Sequence, residues 1–289
     1  MKCWEPENSR VMGIVFAGVG KIIQMSNGFP ERFSEHLQLV NNQFEFNMPE
    51  CPNCSKEVVD FNQFPHECFT HDTTREPTVI ILGDSHAQHY TPGLFKYFAS
   101  KGENPMTMKK CLSFKSSTPG TGLRKECVEY NNHLYDWIKN SPSIKKVIFA
   151  SRFTNYTTNE KDKKWLGDSF LTSVEFLLNE NKKIILIHEI PKMNFDPHGC
   201  VKLRPYLLGQ LNIGKCFSLR NKLNTNQEDY RKILNKTLKK FPQIVVFDPL
   251  DFLCDNKKCF HVEGDFTLYR DDNHLSTYGS MNIAKNFKF

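Results

Sequence analysis

Five short apolar runs, spaced by helix-like segments, restrict this chain to a narrow set of folds. Val79-Ile80-Ile81-Leu82, Ile184-Ile185-Leu186-Ile187 and Ile244-Val245-Val246-Phe247 are uninterrupted and mostly β-branched. Such runs suit parallel strands covered on both faces. Strands are expected at 78–83, 104–109, 146–151, 183–189 and 243–248. Between them apolar residues recur every three or four positions, as a helix buried on one side requires. Leu94, Phe95 and Phe98 mark one such helix, and Tyr130, Leu134, Trp137 and Ile138 a second. Phe170, Leu171, Val174 and Leu177 mark a third, and Tyr230, Ile233, Leu234 and Leu238 a fourth. Alternating strands and helices give an α/β chain. The expected architecture is a doubly wound, flavodoxin-like three-layer sandwich around a central, mostly parallel five-stranded sheet. Residues 191–226, rich in Pro, Gly and Asn, interrupt the alternation and are expected to form a disulfide-tied loop near the rim of the site.

The first strand ends in Gly83-Asp84-Ser85-His86. Open α/β sheets bind ligands beyond the carboxyl ends of their strands, so Ser85 is expected at such a place. A strand-to-helix turn also directs backbone N–H groups at that point, which suits a developing oxyanion. Gly-Asp-Ser at a strand end is equally what a turn with a helix cap looks like. A nucleophilic serine needs a base, and Asp271-Asp272-Asn273-His274-Leu275-Ser276 at the other end of the chain offers one. Alone, that segment reads as a loop or cap with a surface histidine.

Together the two segments resemble the SGNH/GDSL hydrolase superfamily, whose first motif carries the serine and whose last, Asp-x-x-His, carries acid and base. The closer likeness is to the SGNH domain fused behind the membrane-embedded acyltransferase-3 domain of O-acyltransferases. It rests on Gly83-Asp84-Ser85-His86-Ala87, on Cys254-Asp255-Asn256-Lys257-Lys258-Cys259 and on Leu268 to Ser276. Gly28-Phe29-Pro30-Glu31-Arg32 is similar to the linker that precedes that domain. The resemblance runs over residues 25–289 in matching order. It implies the same fold and a triad of Ser85, His274 and Asp271, with Asp272 pointing outward or capping the next helix. It also implies transfer or removal of an acetyl-type group on a sugar hydroxyl through an acyl-serine, with an acyl donor and a carbohydrate-type acceptor as partners. The family's Gly-x-Asn-Asp is missing after strand 146–151, where Ser151-Arg152-Phe153-Thr154-Asn155-Tyr156 stands. Arg152 and Asn155 are therefore candidates for the missing oxyanion donors, and His86 for a group supporting Ser85. Arg152 also reads as an ordinary ion-pair residue, and His86 as a neighbour of a helix cap.

The chain has ten cysteines in 289 residues. Cys111 with Cys127, Cys200 with Cys216, and Cys254 with Cys259 would each close a short loop, a pattern of oxidising compartments. A bridge over ~15 residues stabilises by ~3 kcal/mol in the chain-entropy model. The pairing of Cys3, Cys51, Cys54 and Cys68 stays open. Sequons at Asn53, Asn155 and Asn235 fit the same secretory, lumenal or periplasmic setting and a glycoprotein. Cys51-x-x-Cys54 followed by Cys68-x-x-His71 has zinc-like spacing. A zinc-binding module is thus one alternative, though the remaining cysteines favour disulfides and no metal. A catalytically inactive, carbohydrate-binding SGNH-like domain is another.

Lys and Arg number 38 against 32 Asp and Glu, a net charge of +6 without a dense basic block, so no nucleic-acid partner is expected. No G-x-G-x-x-G or phosphate loop occurs, so no nucleotide cofactor is expected either. Val11 to Gly20 is apolar or glycine but ends at Lys21, too short for a bilayer span of about 20 residues, and no signal peptide is evident. The expected organisation is an N-terminal segment, 1–24, left from a membrane exit; a linker and Cys-containing extension, 25–75; and an SGNH-like catalytic domain, 76–289. A membrane-embedded acyltransferase-3 domain would then lie upstream or on another chain.

Overall fold

The computed structural model describes residues 6–25, 67–109, 111–118, 125–195, 197–200, 216–264 and 266–289. The linker motif 28–32, Cys3, Cys51, Cys54 and the Asn53 sequon lie outside the described residues. The chain divides into two compact units, Met1–Asn42 and Gln43–Phe289. Of the first, helix α1 (Pro6–Met25) is described; it leaves Phe16, Ile22 and Met25 exposed. Among the described residues no helix is long and apolar enough to cross a membrane.

The second unit is built on a six-stranded sheet. Its strands are β1 (Glu67–Thr70), β2 (Val79–Gly83), β3 (Pro105–Lys109), β4 (Lys146–Ala150), β5 (Lys183–Ile187) and β7 (Val245–Phe247). The order is β1-β3-β2-β4-β5-β7, with β1 antiparallel and every other pair parallel. The five expected strands form the parallel part in the flavodoxin-like order. The sixth, β1, comes from the segment 25–75, so the sheet begins before the domain start expected at 76. Its four residues Glu67-Cys68-Phe69-Thr70 are too short and mixed to stand out as a strand. Two short hairpins accompany the sheet: β6 (Phe217–Leu219) with β8 (Lys258–Phe260), and β9 (Val262–Glu263) with β10 (Phe266–Thr267).

Strand residues alternate between two cores, as the period of two requires. Ile80, Leu82, Val147, Phe149, Ile184 and Leu186 face one side. There they meet α3 (Lys125–Asn140), α4 (Glu160–Asn179) and α5 (Arg220–Lys240) through Leu134, Phe170 and Leu234. Val79, Ile81, Ile148, Ala150, Ile185 and Ile187 face the other side. There α2 (Ser85–Ala99), the single-turn α6 (Leu250–Leu253) and α7 (Thr277–Ala284) supply Leu94, Phe98, Leu253 and Ile283. This is the three-layer sandwich. The last strand departs from its expectation: Val245 and Val246 are each 42% exposed, because β7 is an edge strand with one neighbour, β5.

The long insertion is shorter than its composition suggests. Strand β6 starts at Phe217 and α5 at Arg220, inside the expected loop 191–226. Between Arg220 and Asp229 only Leu223 is apolar, so the opening turns of α5 carry no periodic signal. Residues 201–215 lie outside the described residues.

Two glycines fix the geometry that matters for the site. A Cβ on Gly83 would lie 1.9 Å from the Ala150 carbonyl oxygen, so only glycine lets β2 turn beside β4. On α2, Pro92 has no N–H to donate, and the next N–H, from Gly93, goes to Ser280 Oγ at 3.0 Å. A Cβ on Gly93 would lie 2.3 Å from the Ser280 carbonyl oxygen. Helices α2 and α7 thus cross in backbone contact. One begins with Ser85 and the other follows the loop of His274.

The expected disulfides Cys111–Cys127, Cys200–Cys216 and Cys254–Cys259 are all formed. Cys68 is disulfide-bonded as well, which removes it from the zinc-like set with Cys51, Cys54 and His71. The sequon residues Asn155 and Asn235 are exposed.

Candidate active site

Ser85 is the first residue of α2, where the parallel strand order reverses between β2 and β4. Its helix cap is Asp84, whose Oδ1 accepts the His86 N–H at 2.8 Å. The other carboxylate oxygen, Oδ2, accepts the Arg152 N–H at 2.9 Å. One side chain therefore ties the start of α2 to the loop after β4. Burial raises the Asp84 pKa, against the lowering effect of the two N–H groups it accepts.

The Ser85 hydroxyl oxygen lies 2.7 Å from His274 Nε2. His274 Nδ1 lies 2.8 Å from Asp271 Oδ2 and 3.0 Å from Oδ1. A carboxylate only accepts, so Nδ1 carries the hydrogen and Nε2 presents its lone pair to the Ser85 O–H. Burial favours the neutral Asp271 carboxyl, but the His274 side chain and the Asn273 and His274 N–H groups outweigh it. Its pKa falls to about 2, and the carboxylate is ionised. Spacing explains the pairing. With three residues from acid to base in a tight loop, the Arg270 N–H reaches the His274 carbonyl at 3.0 Å and both side chains face inward.

Asp272 takes no part in this relay. Its carboxylate pairs with Lys192 at 3.1 Å, and its carbonyl accepts the Met193 N–H. The start of the insertion after β5 thus braces the Asp-His loop. Ser276 Oγ accepts the Gly279 N–H to cap α7.

His86 is buried, with its ring centre 5.1 Å from that of His274 and 4.9 Å from that of His89. Burial, and then the charge of His274, push its pKa down to about 3, so it is neutral. Among the described residues no set of three His, Cys, Asp or Glu side chains could hold a metal ion.

Arg152 and His86 share the wall of a cavity of about 180 Å³ with Thr154, Glu189, Lys192 and Asn273. Asn155 is not part of it. The turn Phe153–Tyr156 buries Phe153 and Tyr156 and leaves Asn155 exposed. Glu189 belongs to none of the sequence motifs. It is 5% exposed, just beyond the end of β5. Burial pushes its pKa up to about 8, although the Thr154 N–H and hydroxyl both donate to it. Its signal in the sequence is an acidic residue closing the apolar run expected as strand 183–189. Asp84, read only as part of the serine motif, carried no separate one.

A model of the SGNH domain (fused to AT3 domains) matches residues 51–289. Among solved structures, the periplasmic domain of the lipopolysaccharide acetyltransferase of Salmonella ser. Paratyphi A aligns with a TM-score of 0.53 at 20% identity. That alignment covers 72% of this chain and 80% of that one. The acetyl xylan esterase AlAXEase aligns with a TM-score of 0.41 at 14% identity, over 72% of this chain and 96% of that one. A GDSL-like lipase from Bacteroides thetaiotaomicron aligns with a TM-score of 0.40 at 11% identity, over 73% of this chain and 89% of that one. No curated protein matches. With the match spanning most of its length, the chain belongs to the family of SGNH domains fused to AT3 domains.

Proposed function

We propose that the protein is a serine-dependent O-acyltransferase or acylesterase that works through an acyl-serine. The observation that carries this is the continuous relay from Ser85 Oγ through His274 to Asp271. As Ser85 Oγ attacks an ester carbonyl, His274 Nε2 takes the hydroxyl proton and the carbonyl oxygen becomes an oxyanion. Asp271, already ionised, stabilises the imidazolium. The Ser85 N–H, at the helix start and outside the intrahelical ladder, is the first oxyanion donor. Arg152, held beside it through Asp84, is the second. His274 then gives the proton to the departing alkoxide, leaving acyl-Ser85. An incoming hydroxyl loses its proton to His274 and attacks the acyl carbon, and His274 returns that proton to Ser85 Oγ as the serine leaves. Water as that hydroxyl makes the protein an esterase, and a sugar makes it a transferase. No redox step occurs, and the reaction calls for no cofactor.

The acyl group is of acetyl type and the acceptor a sugar hydroxyl on a glycan or glycolipid. Membership of a family fused to AT3 domains supports this, as does the acetyltransferase domain of the same fold. The same membership supports an AT3-type membrane domain as the partner that hands over the acyl group. The disulfides support a site on the extracellular, lumenal or periplasmic side. A carbohydrate-binding domain without activity would not need Ser85, His274 and Asp271 in register. Hydrolysis of 4-nitrophenyl acetate tests the reading. Ser85→Ala should lower the rate by several powers of ten, and wild-type turnover in that variant would refute it.

A further inference from the structure

We propose that Glu189 is a positioning residue for the reaction: it holds the turn that carries Arg152 and so aims that side chain at the oxyanion. This rests on the acyl-serine reading, with Arg152 as the second oxyanion donor, and adds what fixes that donor in place.

The need for a hold follows from how Arg152 is presented. It lies just past the end of β4, at the centre of a three-residue turn with φ −79° and ψ 78°. The Phe153 N–H closes that turn on the Ser151 carbonyl at 3.0 Å. This is an inverse γ-turn, a unit with one internal hydrogen bond. Among the described residues the Arg152 guanidinium makes no hydrogen bond or ion pair. Its long side chain therefore points where the turn sends it, and a donor misplaced by ~1 Å can cost ~10²-fold in rate.

The order of the sheet supplies the hold. Strand β4 lies between β2 and β5, and an acid follows each of these neighbours. Asp84, beyond β2, takes the Arg152 N–H at 2.9 Å. Glu189, beyond β5, takes the Thr154 N–H with one oxygen and meets the Thr154 hydroxyl at 3.0 Å with the other. The turn is gripped from both sides. Glu189 is itself fixed by α5: its N–H donates to the Tyr230 hydroxyl at 3.3 Å, and its carbonyl accepts from Gln227 Nε2 at 3.2 Å. Phe153, between the gripped residues, packs on the same Tyr230, with ring centres 5.4 Å apart. A hydroxyl donates to a carboxylate and accepts from a neutral carboxyl, so the Thr154 contact survives either protonation state of Glu189. A glutamine side chain in its place meets the same two groups.

Single-turnover acylation by 4-nitrophenyl acetate at pH 7, followed by stopped flow, tests this. Glu189→Leu should lower the maximal rate about tenfold or more and leave the half-saturating ester concentration within about threefold, since the oxyanion exists only beyond the ground state. Glu189→Gln should restore the rate to within about threefold of wild type. Arg152→Ala should lower it ~10²-fold. Adding Glu189→Leu to Arg152→Ala should change the rate by less than about twofold, because the first residue acts through the second. Thermal unfolding shows which variants fold. If Glu189→Leu does not, Thr154→Val replaces it, with a loss of about threefold expected in the wild-type background and none beside Arg152→Ala. The proposal is overturned if the substituted protein acylates at the wild-type rate, or if Glu189→Gln loses as much as Glu189→Leu. It is equally overturned if Arg152→Ala keeps the wild-type rate, or if the loss persists in full beside Arg152→Ala. Failure of the acyl-serine reading shows separately, as absence of acyl-Ser85 in wild-type protein treated with an activated acetyl ester.

Discussion

The N–H of Gly93 in α2 donates to the hydroxyl of Ser280 in α7 at 3.0 Å, in a crossing that leaves no room for a side chain. The two helices carry the two halves of the site, since α2 opens with Ser85 and α7 follows the loop of His274. Their crossing is how residues 189 positions apart meet at 2.7 Å. Gly93→Ala should therefore destabilise the domain by ~1–3 kcal/mol through overpacking. It should also slow ester hydrolysis at temperatures where the variant is fully folded. Denaturant unfolding and a 4-nitrophenyl acetate assay read the two effects. An unchanged midpoint and rate would mean that the crossing does not set the site.

Two adjacent acids make the relay testable at one-residue resolution. Asp271→Asn replaces the acceptor that holds the His274 tautomer, and a loss of ~10³–10⁴ in acylation rate is expected. Asp272→Asn removes only the ion pair to Lys192, a half-exposed contact, and acylation should stay within about threefold. Stopped-flow acylation with an activated acetyl ester compares them. The reverse ranking would move the acid to Asp272.

Asp84 accepts two backbone N–H groups, one at the head of α2 and one from Arg152. An amide in its place offers one acceptor and turns a donor toward the other N–H. Asp84→Asn should thus cost ~1–3 kcal/mol of stability, close to the cost of Asp84→Ala. Acylation should fall with it, as the Arg152 loop loses its tether. Full stability in Asp84→Asn would show that one acceptor suffices.

Glu189 gives stability a pH dependence with a definite sign. Its pKa is about 8 in the folded chain, against an ordinary value of 4.5, so the folded state holds the proton more tightly. The benefit is complete below pH ~4.5 and is lost as pH rises through ~8, at up to ~1.4 kcal/mol per pH unit. Buried histidines with lowered pKa, such as His86 and His261 at about 3 and about 4, act oppositely by favouring folding as pH rises toward 6.5. The difference between wild type and Glu189→Gln isolates the carboxyl. Melting temperatures should converge at low pH and diverge in favour of Glu189→Gln by pH 8.5. A constant difference across that range would contradict the raised pKa.

The parallel part of the sheet was legible because each buried strand is a continuous apolar run, and the serine and Asp-His segments stood out because short motifs carry them. What was missed lacked a local pattern. Strand β1 has four mixed residues, and the first turns of α5 have one apolar side chain in ten positions. Burial of Glu189 and the double role of Asp84 arise from elements brought together only by the fold.

Wild-type protein is mixed briefly with 4-nitrophenyl acetate, quenched in acid, digested and mapped by mass spectrometry. An added acetyl group is expected on Ser85, absent from Ser85→Ala and accumulating in place of turnover when the second nucleophile is limiting. Acetylation found only on lysines, or equally in Ser85→Ala, would contradict it.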